Sequence, residues 1–503
     1  MEFKHDYYAL LGIPADADER TIKRAFRRLA RLYHPDINAE PQAAERFQQI
    51  QEAYQVLVNP IQRQAFDHWR RRQGLEQAQP LILRVTPSHE ELPCLDEPQA
   101  LYLMVEITTP YSGEGARPPL NLCLVLDRST SMKGARLYQV KEAARSIVDQ
   151  LAPDDVLSVV TFSDRAELVL PGSQNMDKSA AKIAIGSIRT EGGTEIFQGL
   201  KLGLEQVERW HGPGVLSHLI LITDGQTYGD EEQCLEAARL AGERGIPITT
   251  MGIGSDWNGK LLDEIANLSK APGSSIYLDS TSKIQEVFRD RVQGLGNTVV
   301  RNLALSIHWG QGVTVKELFR VSPEITELFL IEDQVTLGSL EAQKPQVVMI
   351  ELLVGPHTPG IHQLVRLAAQ GTMSGMGSQA VYVERNVETR FVTSLEQRKP
   401  IPSDIVSAMG KLTIFKMQQQ VTHEVEVGRI ESAIQRLKTM ATRLLDIGEA
   451  ELAQVALLEA GRLAQTGSFS SEGQKKLRYG TRGLGIVPKK RPQDDVTLGE
   501  RER

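Results

Sequence analysis

Several short stretches place oxygen-bearing side chains where they could share a hard cation. Asp127-Arg128-Ser129-Thr130-Ser131-Met132 follows the apolar run Leu122 to Leu126. A strand-to-helix turn there would bring Asp127, Ser129 and Ser131, at i, i+2 and i+4, into one crevice. Oxygen ligands with retained waters suit Mg²⁺. Taken alone the pattern is weak, because short polar turns of this kind routinely cap helices. Two further elements supply what the same crevice would need: Gly192-Gly193-Thr194-Glu195-Ile196, a glycine-permitted turn presenting a hydroxyl, and Leu219 to Asp224-Gly225, an apolar strand ending in a carboxylate.

A different chemistry is set out near the N-terminus. Ile22, Phe26, Leu29 and Tyr33 recur at helical spacing, and Lys23, Arg24, Arg27, Arg28 and Arg31 lie opposite them, with no acidic residue between Arg20 and Asp36. Lys23 with Arg27, and Arg24 with Arg28, repel one another at i, i+4. Such a face asks for an acidic partner. His34-Pro35-Asp36 follows, with proline pinning the backbone and a carboxylate beside the basic face.

Other chemistries find no support. The histidines show no HxxxH spacing, and no Walker-type lysine loop, Gly-x-Ser-x-Gly elbow or third glycine after Gly252-Ile253-Gly254 is present. Cys94, Cys123 and Cys234 form no CxxC pair, so no disulfide framework or thiolate zinc site is expected and a reducing compartment is. Catalysis is not expected. The 503 residues carry 57 Lys+Arg against 64 Asp+Glu, a formal charge of −7, which argues against a dedicated nucleic-acid or membrane-surface binder. Charged residues interrupt Met1 to Leu11, and no window holds about 18 consecutive apolar residues, so the reading is a cytoplasmic protein with no membrane span.

These motifs need elements to position them, and the length allows three or four domains. Residues 1–72 read as a helical hairpin, with Phe47, Ile50, Tyr54 and Leu57 as the second stripe, and 73–80 as a linker. From 117 to 298 apolar β-type runs (Leu122 to Leu126, Val156 to Phe162, Leu219 to Thr223, Ile248 to Gly252) alternate with amphipathic helices. That pattern is a parallel sheet covered on both faces, with its site at the carboxyl ends of the strands. Residues 81–116 and 299–396 read as β without helices. The first piece is too small for a core of its own, so the expected architecture is a doubly wound, Rossmann-like α/β unit inserted in a β-sandwich built from both flanks. A helical region is expected over 403–484, with Gly448 and Gly461 as stops, then a disordered tail over 485–503.

The stretches Asp6 to Ile13, Ile22 to Ala30, Tyr33 to Asp36 and Phe47 to Asn59 together resemble the J domain of DnaJ-type co-chaperones. The resemblance implies that His34, Pro35, Asp36, Lys23, Arg27 and Arg28 dock on a DnaK-type (70 kDa heat-shock) chaperone and stimulate its ATP hydrolysis. It ends near residue 72, because no Gly/Phe-rich linker or CxxCxGxG module follows.

Asp-x-Ser-x-Ser, the threonine loop and the strand-terminal aspartate resemble the von Willebrand factor A (VWA) domain with a complete metal-ion-dependent adhesion site. That resemblance implies that Ser129, Ser131 and Thr194 face a divalent cation, Mg²⁺ first with Mn²⁺ or Ca²⁺ as alternatives. Asp127 and Asp224 would bind it mostly through waters, and an unknown protein ligand would donate an acidic side chain. The flanking strands and C-terminal helices look like accessory regions of bacterial VWA proteins. Within them Lys475-Lys476-Leu477-Arg478-Tyr479-Gly480-Thr481-Arg482 is expected to be a solvated surface, with a docking patch as the alternative. Together these features describe a multidomain α, α/β and β adaptor that recruits a chaperone and captures a protein. The rival is a scaffold subunit of an ATP-driven, AAA-type complex, its J domain used only for docking; a metal-dependent hydrolase would need a second metal or general base, for which no candidate stands out.

Overall fold

The computed structural model describes residues 6–11, 13, 17, 19–33, 43–72, 80–111, 117–212, 214–227, 229–270, 275–374, 379–394 and 399–486. His34, Pro35 and Asp36 lie outside them, as do the side chain of Arg28, the linker apart from Pro80, and the tail from residue 487.

Among the described residues four helices come first: α1 Tyr7–Leu11, α2 Glu19–Tyr33, α3 Ala43–Val58 and α4 Pro60–Arg72. The apolar stripes of α2 and α3 meet, with the rings of Phe26 and Tyr54 stacked at 4.2 Å. Ile22, Ile50, Leu57 and Phe66 close over Tyr7 and Tyr8 to complete a small core. Lys23, Arg24 and Arg27 are left on the outer face of α2, with Lys23 Nζ 2.5 Å from Glu19.

Three strands follow, β1 Ile82–Pro87, β2 Glu91–Pro93 and β3 Gln99–Thr108. The α/β unit then runs β4 Leu120–Asp127, α5 Ala135–Gln150, β5 Val156–Phe162, β6 Ala166–Leu170, α6 Lys178–Ser187, α7 Ile196–Glu208, β7 Leu216–Thr223, α8 Glu231–Glu243, β8 Ile248–Ile253, α9 Gly259–Leu268, β9 Ser275–Leu278 and α10 Ile284–Gly296. Its strands lie in the order β6-β5-β4-β7-β8-β9. Every residue of β4 is buried because alternate side chains enter two different cores, Leu122, Leu124 and Leu126 on one face and Cys123 and Val125 on the other. This is why the strand reads as an unbroken apolar run. The sheet is not wholly parallel as expected: β6 runs antiparallel to β5. Only Ser163-Asp164-Arg165 separates the two, and a link that short makes a hairpin, whereas a parallel crossover needs a dozen residues or more.

Seven strands come after the unit, β10 Thr298–Trp309, β11 Val313–Ser322, β12 Thr326–Glu327, β13 Gln334–Glu341, β14 Gln346–Val354, β15 Gly360–Met373 and β16 Ala380–Val392. They combine with the earlier three in two five-stranded sheets, β1-β3-β14-β11-β12 and β13-β10-β15-β16-β2. β3 lies between β1 and β14, in register from Gln99 opposite Val354 to Ile107 opposite Gln346. Leu103, Leu305, Ile350 and Leu367 belong to one core between the sheets. The α/β unit is therefore an insertion within a β-sandwich.

Helices α11 Ser403–Glu426, α12 Ile430–Asp446, α13 Ala450–Thr466 and α14 Ser471–Arg482 complete the described chain. Phe415 of α11 meets Phe319 of β11 edge-on, and their surroundings form a third large core. Gly448, at φ +86°, lies between α12 and α13 as expected. Gly461 does not stop a helix: it sits inside α13, which runs to Gly467 at φ +71°. An interior glycine costs about 1 kcal/mol, which a packed helix tolerates, whereas a left-handed turn calls for glycine. Gly485 and Ile486 are not tail either, since the Ile486 amide donates to Val321 O at 2.8 Å and its side chain is buried.

Candidate functional site

The carboxyl ends of β4 and β7, adjacent in the sheet, bring Asp127 and Asp224 to one crevice. Asp127 is the last residue of β4; its Oδ1 accepts the Ser129 amide at 2.7 Å and its Oδ2 accepts the Thr223 hydroxyl at 2.6 Å. The chain then tightens into a single 3-10 turn, Thr130–Met132, which sets Ser129 Oγ 2.9 Å from Ser131 Oγ. Ser131 Oγ in turn donates to Asp224 Oδ1 at 2.6 Å. Thr194 reaches the same place from the opposite wall: a β-carbon at Gly225 would lie 3.0 Å from its Oγ1, so glycine is what lets this loop approach Asp224. The structure thus gathers Asp127, Ser129, Ser131, Thr194 and Asp224, residues almost one hundred positions apart in sequence.

Asp127 and Asp224 are both inaccessible to solvent, or nearly so. Burial pushes the Asp127 carboxyl up to about 6; hydrogen bonds from Ser129 and Thr223 oppose this, and neighbouring Asp224 adds to it. Two carboxylates and three hydroxyls form an all-oxygen donor set. Among the described residues no three His, Cys, Asp or Glu side chains gather as a metal cluster. The residues present therefore fit a hard divalent cation held through hydroxyls and two anions.

Several neighbours were not legible beforehand. Arg136, at the start of α5, places Nη1 2.5 Å from Asp224 Oδ2, a positive charge beside the crevice. Asp164 accepts the Gly193 amide at 2.8 Å, and Asp230 accepts the Phe197 amide at 2.8 Å and the Thr227 hydroxyl at 2.5 Å, so both carboxylates steady the loop carrying Thr194. Arg128 turns away from the crevice to Glu167 and Glu191. Apart from Thr227 with Asp230, these partners are distant in sequence.

The basic stretch of α14 is a docking surface, not a solvated one. Lys475 is buried, donating to Ser255 O and Trp257 O at 2.5 and 2.7 Å with its ammonium 4.2 Å from the Trp257 ring centre. Burial pushes its pKa down to about 8. The Tyr479 ring packs against Trp257 and Tyr277, while Arg478 and Arg482 converge on Asp263 of α9. Two of the helix's cations, Arg478 and Arg482, thus face a buried anion on the α/β unit.

The comparisons with known proteins divide along the same lines. A DnaJ domain model matches residues 6–67, a von Willebrand factor type A domain model residues 121–290, and a model of the Sll0103-like C-terminal alpha-helical domain residues 403–486. Over 389 residues the chain is 31% identical to Uncharacterized protein sll0103 of Synechocystis, covering 74% of this chain and 90% of that one. The chain belongs to the Sll0103-like family. Its J domain is 54% identical over 67 residues to Chaperone protein DnaJ 2 of Thermus thermophilus, which is 13% of this Sll0103-like chain and 24% of the chaperone. A solved von Willebrand factor type A protein from Catenulispora acidiphila shares the fold, with a TM-score of 0.66 at 17% identity over 82% of this chain and 99% of that one. Among the described residues no helix is long and apolar enough to cross a membrane.

Proposed function

We propose that this Sll0103-like protein is a cytoplasmic co-chaperone or adaptor, which works by bringing two proteins together and not by turnover. Its J domain docks a DnaK-type chaperone through His34, Pro35, Asp36 and the basic face of α2, and stimulates ATP hydrolysis. Its VWA domain captures a protein partner at a divalent-cation site held by Asp127, Ser129, Ser131, Thr194 and Asp224. The observation that carries the capture half is the convergence of these five side chains, with two buried carboxylates, on one crevice.

A divalent cation bound there would supply Lewis acidity toward a carboxylate oxygen. The chain's own residues do the rest. Ser129 and Ser131 turn hydroxyl oxygens inward, Thr223 and the Ser129 amide fix both oxygens of Asp127, and Arg136 balances Asp224. Two protein carboxylates leave a divalent site short of negative charge, which favours an aspartate or glutamate from the partner. Once captured, that partner meets the chaperone at an effective concentration set by the tether between the two domains.

Titration of the full-length protein with Mg²⁺ and Mn²⁺ by calorimetry tests the site. One bound cation, lost in Asp127→Ala, is expected. Binding that survives in this variant would remove the proposed ligand set.

A further inference from the structure

One short loop separates the metal crevice from α14. On the crevice side stands Arg136, whose Nη1 bonds Asp224 Oδ2 at 2.5 Å and reaches Ser131 O at 3.4 Å. Its other terminal nitrogen, Nη2, lies against Gly254, where a β-carbon would come within 3.1 Å of it. Gly254 directly follows β8, at φ +71°, and its carbonyl accepts the Trp257 indole N–H at 2.8 Å. β8 in turn runs beside β7, with Gly252 opposite Thr223, the residue whose hydroxyl holds Asp127.

The same loop is held from its other side by α14. Ser255 O accepts both the Ser471 hydroxyl and the Lys475 ammonium at 2.5 Å, and Trp257 O accepts the ammonium at 2.7 Å. Trp257 is itself fixed: it is 2% exposed, and its ring covers Gly252 so closely that a β-carbon there would lie 2.0 Å from it. Hydrogen bonds from a buried ammonium are strong, and a carbonyl that loses such a partner is left unsatisfied. Gly254, Ser255 and Trp257 therefore carry an unbroken set of contacts from Arg136 to Lys475.

Coupling between two sites needs an element with two arrangements that both sites bias. Arg136 is that element. Its guanidinium neutralises Asp224 in one arrangement, and in the other it gives up that oxygen to a cation. Gly254 bounds the space into which the guanidinium can withdraw, so the freedom of the 254–257 loop decides how readily it leaves.

Resting on the divalent-cation reading of the crevice, we infer that the C-terminal helical region restrains the metal site: docked α14 fixes the 254–257 loop against Arg136 and so keeps the guanidinium on Asp224. Loosening α14 from the loop raises the affinity of the crevice for its cation, and with it for an acidic ligand. The coupling is reciprocal, so occupation of the crevice loosens α14 by the same factor. Capture by the VWA domain is thereby tied to the state of a helix more than 200 residues away in sequence.

Calorimetric titration of the full-length protein with Mg²⁺ tests this in two variants. Lys475→Met keeps an unbranched side chain and loses both bonds to the loop; Ser471→Ala removes one bond at an exposed position, a change that folding tolerates even should Lys475→Met not fold. Lys475→Met is expected to tighten Mg²⁺ binding by about two- to fivefold, the range expected for losing Arg136 itself, and Ser471→Ala by less in the same direction. Both effects should vanish in an Arg136→Gln background, whereas a through-space effect of the Lys475 charge would persist there. Amide exchange in α14 should quicken when Mg²⁺ is bound. Unchanged or weaker Mg²⁺ binding in both single variants, tightening that survives Arg136→Gln, or equal α14 exchange with and without Mg²⁺ would overturn the inference and leave the cation site standing. Native protein that binds no Mg²⁺ would remove the cation reading and this inference with it.

Discussion

Arg482 grips Asp263 with both ends of its guanidinium, Nη1 2.8 Å from Oδ1 and Nη2 2.7 Å from Oδ2, and so joins the last described helix to the VWA domain across 219 residues of sequence. Tyr479 adds a bond to Asp263 Oδ1 at 3.1 Å, and the Ile325 amide donates to Arg482 O at 2.9 Å. Asp263 is 5% exposed. The Asp263 carboxylate thus ties the VWA domain to α14, and the Arg482 carbonyl ties α14 to the sandwich.

Removing that carboxylate leaves two arginines facing a buried gap. Asp263→Ala is expected to cost about 3–5 kcal/mol, the usual penalty for breaking a buried ion pair from one side. Chemical denaturation should show it, either as a lower midpoint or as separate unfolding of the C-terminal helices. A loss within about 0.5 kcal/mol, typical of a surface change, would make the contact incidental.

The same pair sets a pH dependence. Burial pushes the Asp263 carboxyl up, but Arg482 and Arg478 outweigh it, so the folded pKa lies below the ordinary 3.8. A depressed folded pKa gives stability that is fully present above 3.8 and is lost as pH falls through the lower folded value. The stability difference between the native protein and Asp263→Asn should therefore be flat from pH 7 to about 5 and shrink below pH 4. A difference that grows on acidification would reverse the sign and refute the assignment.

The aspartates of the crevice, Asp127 and Asp224, were legible because each follows or ends an apolar strand, and a buried strand that stops on a carboxylate announces a site at the sheet's edge. The lock at Asp263 was not. Nothing near Asp263 in sequence distinguishes it from an ordinary helical acid, and α14 shows only a run of cations whose partner is fixed by tertiary packing. Within the second β flank, strand β11 is weakly marked in sequence. β11 alternates at its start and is fully buried from Leu318 onward, with Lys316, Glu317 and Arg320 breaking the apolar signal. Arg320 is buried there with its guanidinium 3.4 Å from Leu337 O and 3.3 Å from Thr326 Oγ1.

Arg136 and a divalent cation would both be drawn to Asp224. Arg136→Gln is expected to tighten Mg²⁺ binding by about two- to fivefold, a small factor because solvent screens a guanidinium about a third exposed. Calorimetric titration measures it. Weaker binding in this variant would mean that Arg136 positions Asp224 and does not compete for it.

The two-flank sandwich predicts failure of its own second half. A fragment of residues 298–392 lacks β3, leaving the length of β14 from Gln346 to Val354 without its partner strand and the core without Leu101, Leu103, Val105 and Ile107. It should show no cooperative thermal transition by circular dichroism. A sharp transition would mean that β10 to β16 form a core unaided.

The central claim is that the chain activates a DnaK-type chaperone, and steady-state ATP hydrolysis by such a chaperone with the full-length protein tests it most directly. Stimulation is expected with the native protein and with Asp127→Ala, reduced by about tenfold or more in a Lys23→Glu/Arg27→Glu double variant that reverses the docking charge, and absent in His34→Gln. Hydrolysis at the same rate with native protein and His34→Gln would contradict the account.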